Sequence, residues 1–187
     1  MGLLKGERIG LRSIESEEDI RYLFKAFNDP EAMGEYVSFE ARSWEAFQTF
    51  IKEGAKSTAQ FTTFLIEKRD GDNRKIIGSL VHFIPHPLVK SCLEIGYGID
   101  DITLRRKGYA LEGVGLLIDY LFETKILERI QATTNIANIG SQRVLEKLGF
   151  TKEGTMRKGD FIEGKFSDLL LYSLLREEWE TRKNERS

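Results

Sequence analysis

The segment with the strongest hold on the fold is a helix-period stretch bracketed by two strand-like runs. Between Tyr109 and Glu123, Leu111, Val114, Leu117, Ile118, Leu121 and Phe122 recur at mainly three- and four-residue steps, the stripe of a helix with one buried face. Cys92–Ile99 before it and Arg129–Asn135 after it read as strands. Two strands joined through a helix run parallel, because the crossover returns the chain to the end of the sheet where it began. The region upstream reads differently. Phe61–Glu67, Ile76–Ile84 and Cys92–Ile99 follow one another with short connections, the first through a turn at Arg69-Asp70-Gly71-Asp72-Asn73, and Pro85 and Pro87 close the second run. Consecutive strands linked this way pair antiparallel. The expected class is α/β (α+β), with a mixed, mostly antiparallel central sheet flanked by helices.

The remaining elements fit that frame. Glu7–Ile14 alternates as a half-buried strand does. Ser16 ahead of Glu17, Glu18 and Asp19 starts a helix carrying Leu23, Phe24 and Phe27, and Asn28-Asp29-Pro30 ends it. A second helix starts at Ser43 and carries Trp44, Phe47, Phe50 and Ile51, leaving Glu31–Arg42 between the two as an irregular stretch. Ser141–Leu148 is a short helix stopped by Gly149; Phe150–Met156 and Asp168–Leu174 are strands, followed by a charged tail of helical character. No repeat or Pro/Ser-rich linker divides the chain, so one domain over 1–187 is expected.

Charge and cysteine content narrow the function. The 28 basic and 30 acidic side chains give no basic excess, so a nucleic-acid partner is not expected. No run approaches the ~20 apolar residues of a membrane span, and the first residues lack a signal-peptide core. A cytoplasmic protein with no membrane partner is the expectation. The single cysteine, Cys92, allows no intrachain disulfide and argues against a cysteine-based metal site. His82 and His86 lack metal-ligand spacing and read as surface or packing residues.

The chemistry concentrates in Leu93-Glu94-Ile95-Gly96-Tyr97-Gly98-Ile99, a loop, and Arg105-Arg106-Lys107-Gly108-Tyr109-Ala110. A helix start presents free backbone N–H groups and a favourable dipole to an anion. Gly108 permits close approach of backbone to a ligand, Ala110 leaves the approach open, and Arg105, Arg106 and Lys107 add positive charge. This is a cradle for a diphosphate. It lacks the GKS/GKT of a nucleotide-hydrolase P-loop, and taken alone it reads first as an ordinary basic helix start.

The arrangement resembles motif A of the GNAT acetyltransferases, where a strand leads into an Arg/Gln-x-x-Gly-x-Gly/Ala loop and a helix. Downstream, Asn138-Ile139-Gly140-Ser141-Gln142-Arg143-Val144-Leu145-Glu146-Lys147-Leu148-Gly149-Phe150 resembles the superfamily's Asn-x-x-Ser…Leu-Gly-Phe segment. Asp168-Leu169-Leu170-Leu171-Tyr172-Ser173-Leu174-Leu175-Arg176-Glu177-Glu178-Trp179 looks like the ending of the RimJ/RimL branch. The resemblance implies a GNAT fold in which acetyl-coenzyme A lies between splayed strands. Tyr97, Gly98 and Ile99 would then offer backbone groups to the pantetheine arm. Arg105, Arg106, Lys107, Gly108, Tyr109 and Ala110 would hold the pyrophosphate, and Asn138 would contact the cofactor arm. Ser141 would lie near the sulfur and assist the departing thiolate; Asn138 and Ser141 read equally as caps of their helix. Glu94 is the first candidate for the base that takes the amine's proton, with a positioning carboxylate as its other reading. No metal is implied. Where relatives carry an aromatic and an Asp-Pro pair, Gly98 and Asp100-Asp101-Ile102-Thr103 stand here, so the acceptor side differs. The acceptor implied is an amine, either a protein N-terminus or a small molecule such as an antibiotic, polyamine or metabolite. A catalytically idle acetyl-CoA-binding module is the reading from another class. Members of the superfamily occur as monomers and homodimers.

Overall fold

A computed structural model describes residues 4–38, 40–56, 61–71, 73–86 and 91–186. Asp72 and Pro87, assigned above to a turn and a strand end, lie outside the described residues. The centre is an eight-stranded sheet of β1 (Leu4–Lys5), β2 (Ile9–Ser13), β3 (Phe61–Asp70), β4 (Asn73–Phe83), β5 (Cys92–Ile99), β6 (Arg129–Asn135), β7 (Thr151–Ile162) and β8 (Lys165–Leu175). The spatial order is β1-β2-β3-β4-β5-β6-β8-β7, and β5–β6 is the one parallel pair among the described strands. The described helices are α1 (Glu17–Phe27), α2 (Pro30–Met33), α3 (Trp44–Lys56), α4 (Tyr109–Thr124), α5 (Ile139–Lys147) and α6 (Arg176–Arg186). α4 is the crossover that the period of its apolar residues required. None of them is long and apolar enough to cross a membrane.

Each face of the sheet has its own core. Phe64 and Ile66 on β3, with Ile9, Leu11, Leu80, Leu93 and Ile95, pack beneath Val114, Leu117, Ile118 and Leu121 of α4. Leu65, between Phe64 and Ile66, points the other way and joins Leu23 of α1 with Phe47 and Ile51 of α3. A strand covered on both faces reads as a continuous apolar run, which is why Phe64-Leu65-Ile66 does not alternate. The second core reaches β4 at Ile76 and includes nothing from β5 to β8. On that half of the sheet the same face is polar, carrying Glu94, Gln131, Ser173 and Glu153 joined by hydrogen bonds.

Two departures from the sequence reading have local causes. The stretch read as irregular begins with α2: Asp29 accepts from the N–H groups of Glu31 (2.9 Å) and Ala32 (3.5 Å), and Pro30 occupies the first turn. The signal that stops α1 is thus also the start signal of the next helix. The β7–β8 hairpin runs well beyond Phe150–Met156 and Asp168–Leu174. Most of β7 is exposed, so no apolar alternation marks it, and its register shifts between Met156 and Asp160.

Candidate functional site

The site begins where β5 and β6 part. They pair only over Cys92–Arg129, Leu93–Ile130 and Glu94–Gln131, whereas β5 stays paired with β4 as far as Ile99 and β6 with β8 as far as Asn135. From Ile95 onward β5 therefore presents an unpaired edge towards the gap, with Tyr97, Gly98 and Ile99 on it. Glu94 stands at the point of divergence. Its carboxylate accepts from Gln131 Nε2 (2.9 Å) and Thr133 Oγ1 (2.8 Å), which fixes it on the polar face. Gln131 is held in turn by Arg129 Nε at 3.3 Å, and Arg129 forks onto Glu153 at 2.5 and 2.6 Å.

The open end of the gap leads to α4, whose N-terminus is bare. Gly108 is the residue before the first turn, at φ 85°, and no side chain caps the helix. The N–H groups of Tyr109, Ala110 and Leu111 therefore have no partner within the helix or from a cap. Arg106 is also left-handed (φ 60°), so left-handed residues flank Lys107 ahead of the helix. A Cβ at Gly108 would sit 3.1 Å from Arg8 Nη2 and would be held in a backbone region that L residues avoid. These features suit a diphosphate.

Arg8 was not flagged by sequence reasoning, yet it shapes this mouth. Its Nη1 donates to the Lys107 carbonyl (2.9 Å), its guanidinium lies 5.0 Å from the centre of the Tyr109 ring, and its Nε donates to Glu112 (2.9 Å). Glu112, the acidic residue in the first turn of α4, also accepts from the N–H groups of Arg8 and Ile9. Its charge is thereby neutralised before it can repel an anion. The pairing spans about a hundred residues of sequence, so no local motif reveals it.

Arg105 has a different occupation from its neighbours. Its guanidinium donates to the carbonyls of Ile99 (2.8 Å), Ala32 (2.5 Å) and Glu31 (3.2 Å), and its N–H donates to Ile102. It fastens α2 to the end of β5. The residues that depart from the family pattern are local braces too. Asp101 accepts from Thr103 N–H (3.0 Å), starting a 3-10 turn over Ile102–Leu104, and pairs with Lys75 (2.8 Å). Asp100 accepts from the Tyr22 hydroxyl of α1 (3.0 Å). Burial pushes the Asp100 carboxyl up to about 6, against the opposing pull of Tyr22 and Arg105.

Across the gap, α5 starts on a side-chain cap: Asn138 Oδ1 accepts from Ser141 N–H (3.0 Å). The capping role considered for Asn138 is present. Ser141 caps nothing; its Oγ lies 2.9 Å from the Tyr97 hydroxyl, which also approaches the Ser141 carbonyl at 3.3 Å. Tyr97 and Ser141 thus bridge the gap between β5 and α5. Burial pushes the Tyr97 phenol up to about 12, partly offset by its hydrogen bond with Ser141.

His82 is a packing residue, 1% exposed and 6.3 Å from Phe64 between ring centres, with no partner for Nδ1. Burial pushes its imidazole down to about 4, so it stays neutral. Cys92 is buried. Among the described residues no cluster of three or more His, Cys, Asp or Glu is disposed to hold a metal.

Comparison with known proteins agrees with this geometry. Residues 8–151 match the family model of the acetyltransferase (GNAT) domain. The Bacillus subtilis (strain 168) protein named "Putative ribosomal N-acetyltransferase YdaF" is 39% identical over 90 residues, 48% of this chain and 49% of that protein. The match thus covers about half the length of that relative. The ribosomal-protein-S5-alanine acetyltransferase from Vibrio fischeri superposes with a TM-score of 0.82 at 23% identity, covering 96% of this chain and 99% of that one. The spermidine N-acetyltransferase from Vibrio cholerae, solved with CoA and spermine, superposes at 0.81 with 21% identity, covering 92% and 98%. At those identities the two structures show the shared fold.

Proposed function

Because this chain belongs to the GNAT family of acetyltransferases, we propose that it transfers the acetyl group of acetyl-CoA to the α-amine of a protein N-terminus. One observation carries the reading: the uncapped mouth of α4 opens beside a gap between two strands of one sheet. The backbone N–H groups from Arg106 to Ala110 hold the diphosphate there, with the exposed Arg106 and Lys107 side chains adding charge and Arg105 keeping the loop in shape. The free edge at Tyr97, Gly98 and Ile99 pairs with the amide groups of the pantetheine arm, and Asn138 borders the arm from α5. The whole of 1–187 acts as one domain, in keeping with a sheet that reaches from Leu4 to Leu175.

The reaction follows from those placements. The neutral amine attacks the thioester carbonyl, and the oxyanion takes a hydrogen bond from a backbone N–H on the free edge of β5. Glu94 receives the proton the amine loses, directly or through water, with Gln131 and Thr133 holding its carboxylate in place. Collapse expels the thiolate beside Ser141. The N-terminal acceptor is supported by the likeness to the YdaF protein.

The test is incubation with acetyl-CoA and a panel of peptides, polyamines and aminoglycosides, with mass spectrometry locating the acetyl group and thiol release timing it. The expected product is a peptide acetylated at its α-amine. Acetylation of the small amines alone would move the acceptor to that class. Tight CoA binding with no product would leave a binding module.

A further inference from the structure

The Tyr97 hydroxyl has one proton and two oxygens of Ser141 within reach, Oγ at 2.9 Å and the carbonyl at 3.3 Å. The carbonyl belongs to the third residue of α5 and already takes an intrahelical bond from the residue four positions on. Oγ is closer and, among the described residues, takes no other hydrogen bond, so it is the better acceptor. Because burial holds the phenol protonated far above neutrality, the donor is present at every working pH.

We propose that Tyr97 is a positioning residue for thiolate departure: by donating to Ser141 Oγ it turns the serine's own proton into the gap, where the sulfur leaves. The idea rests on the acetyl-transfer reading above. Ser141 is then fixed at two points, its N–H by Asn138 and its Oγ by Tyr97, and one direction stays free. The step balances without proton transfer from serine. The C–S bond breaks with its electron pair going to sulfur, the amine's proton has gone to the base, and the thiolate leaves as acceptor of the Ser141 O–H before taking a proton from solvent. Without the phenol, no other group among the described residues holds the serine hydroxyl, and its proton is free to turn away from the gap.

The test needs no acceptor. The thiol pKa of bound CoA is read from thiolate ultraviolet absorbance in the wild type, Tyr97→Phe, Ser141→Ala and the double variant, with CoA affinity measured by calorimetry. Tyr97→Phe should raise the bound thiol pKa by about half to one unit, a factor of roughly three to ten in thiolate population. Ser141→Ala should raise it at least as far, and the double variant no further, because the two act in series. CoA affinity at low pH, where the thiol is protonated throughout, should stay within about twofold of the wild type. A thiol pKa unmoved by Tyr97→Phe, or additive shifts in the double variant, would overturn the inference. Failure of the wild type to bind CoA would overturn both it and the acetyltransferase reading. Tyr97-dependent thiol pKa values with no amine acetylated would overturn the transfer reading and the role in thiolate departure with it, leaving only a Tyr97–Ser141 contact that acts on the bound sulfur.

Discussion

Two helices leave the open end of the sheet on either side of the gap, and they begin in opposite ways. α5 begins on Asn138, whose side chain occupies a free N–H group, as Ser16, Asp29 and Ser43 do for α1, α2 and α3. α4 begins on Gly108, which has no side chain to offer. A glycine in place of a Ser, Thr, Asn or Asp cap costs roughly a few tenths of a kcal/mol, and it leaves the first N–H groups of the helix open. On the proposed reading the bare helix is where the ligand supplies the acceptor atoms, and the capped one is the scaffold that holds Ser141 in place.

Substitutions at the two mouths should therefore separate binding from chemistry and stability. Gly108→Glu forces a charged side chain into a left-handed position against Arg8 and should weaken CoA binding more than ~100-fold by calorimetry, beyond the ~1–2 kcal/mol of backbone strain. Retained affinity would mean the mouth of α4 is not the anion site. At the other mouth, Ser141→Ala should lower kcat by about ten- to a hundredfold with CoA affinity nearly unchanged, as expected for a donor used when charge develops. A fall in melting temperature alone would reduce Ser141 to part of the scaffold.

Ahead of α4, the raised carboxyl of Asp100 gives a pH test. Its folded pKa of about 6 exceeds the ordinary 3.8, so its contribution is fully present below about pH 3.8 and is lost as pH rises through 6. Asp100→Asn, which keeps an oxygen for Tyr22, should stabilise the protein at pH 8 by on the order of 1–3 kcal/mol, with the difference vanishing towards pH 4. An equal effect at both pH values would show that charge burial is not the cause. The smallest change is expected from Asn138→Ala, about 1 kcal/mol of stability in denaturant melts with CoA affinity lowered less than about threefold. A larger loss of affinity than of stability would make Asn138 a ligand contact first and erase the contrast between the helices.

Local signals carried much of this into view. The period of α4, the flanking strands and Gly108 are written in adjacent residues, so the crossover and the mouth were legible. So were α1 and α3, each begun by a serine. The hairpin of β7 and β8 was read short because exposed strands need no apolar alternation. Within the site, what escaped was long-range: Arg8 reaching Lys107, Arg105 turning to Glu31 and Ala32, and Tyr97 meeting Ser141. Each joins residues brought together only when the sheet closes, and none leaves a spacing to count.

Three residue pairs between β5 and β6 are the whole ladder joining the two halves of the sheet. Longer antiparallel ladders flank this seam on both sides, β4 with β5 and β6 with β8, and Glu94, α4 and the Tyr97–Ser141 contact also cross it. A ligand lying along the seam would touch both sides of the sheet at once. Its binding should therefore raise the melting point of the protein as a unit and shield the Ile95–Ile99 amides from exchange.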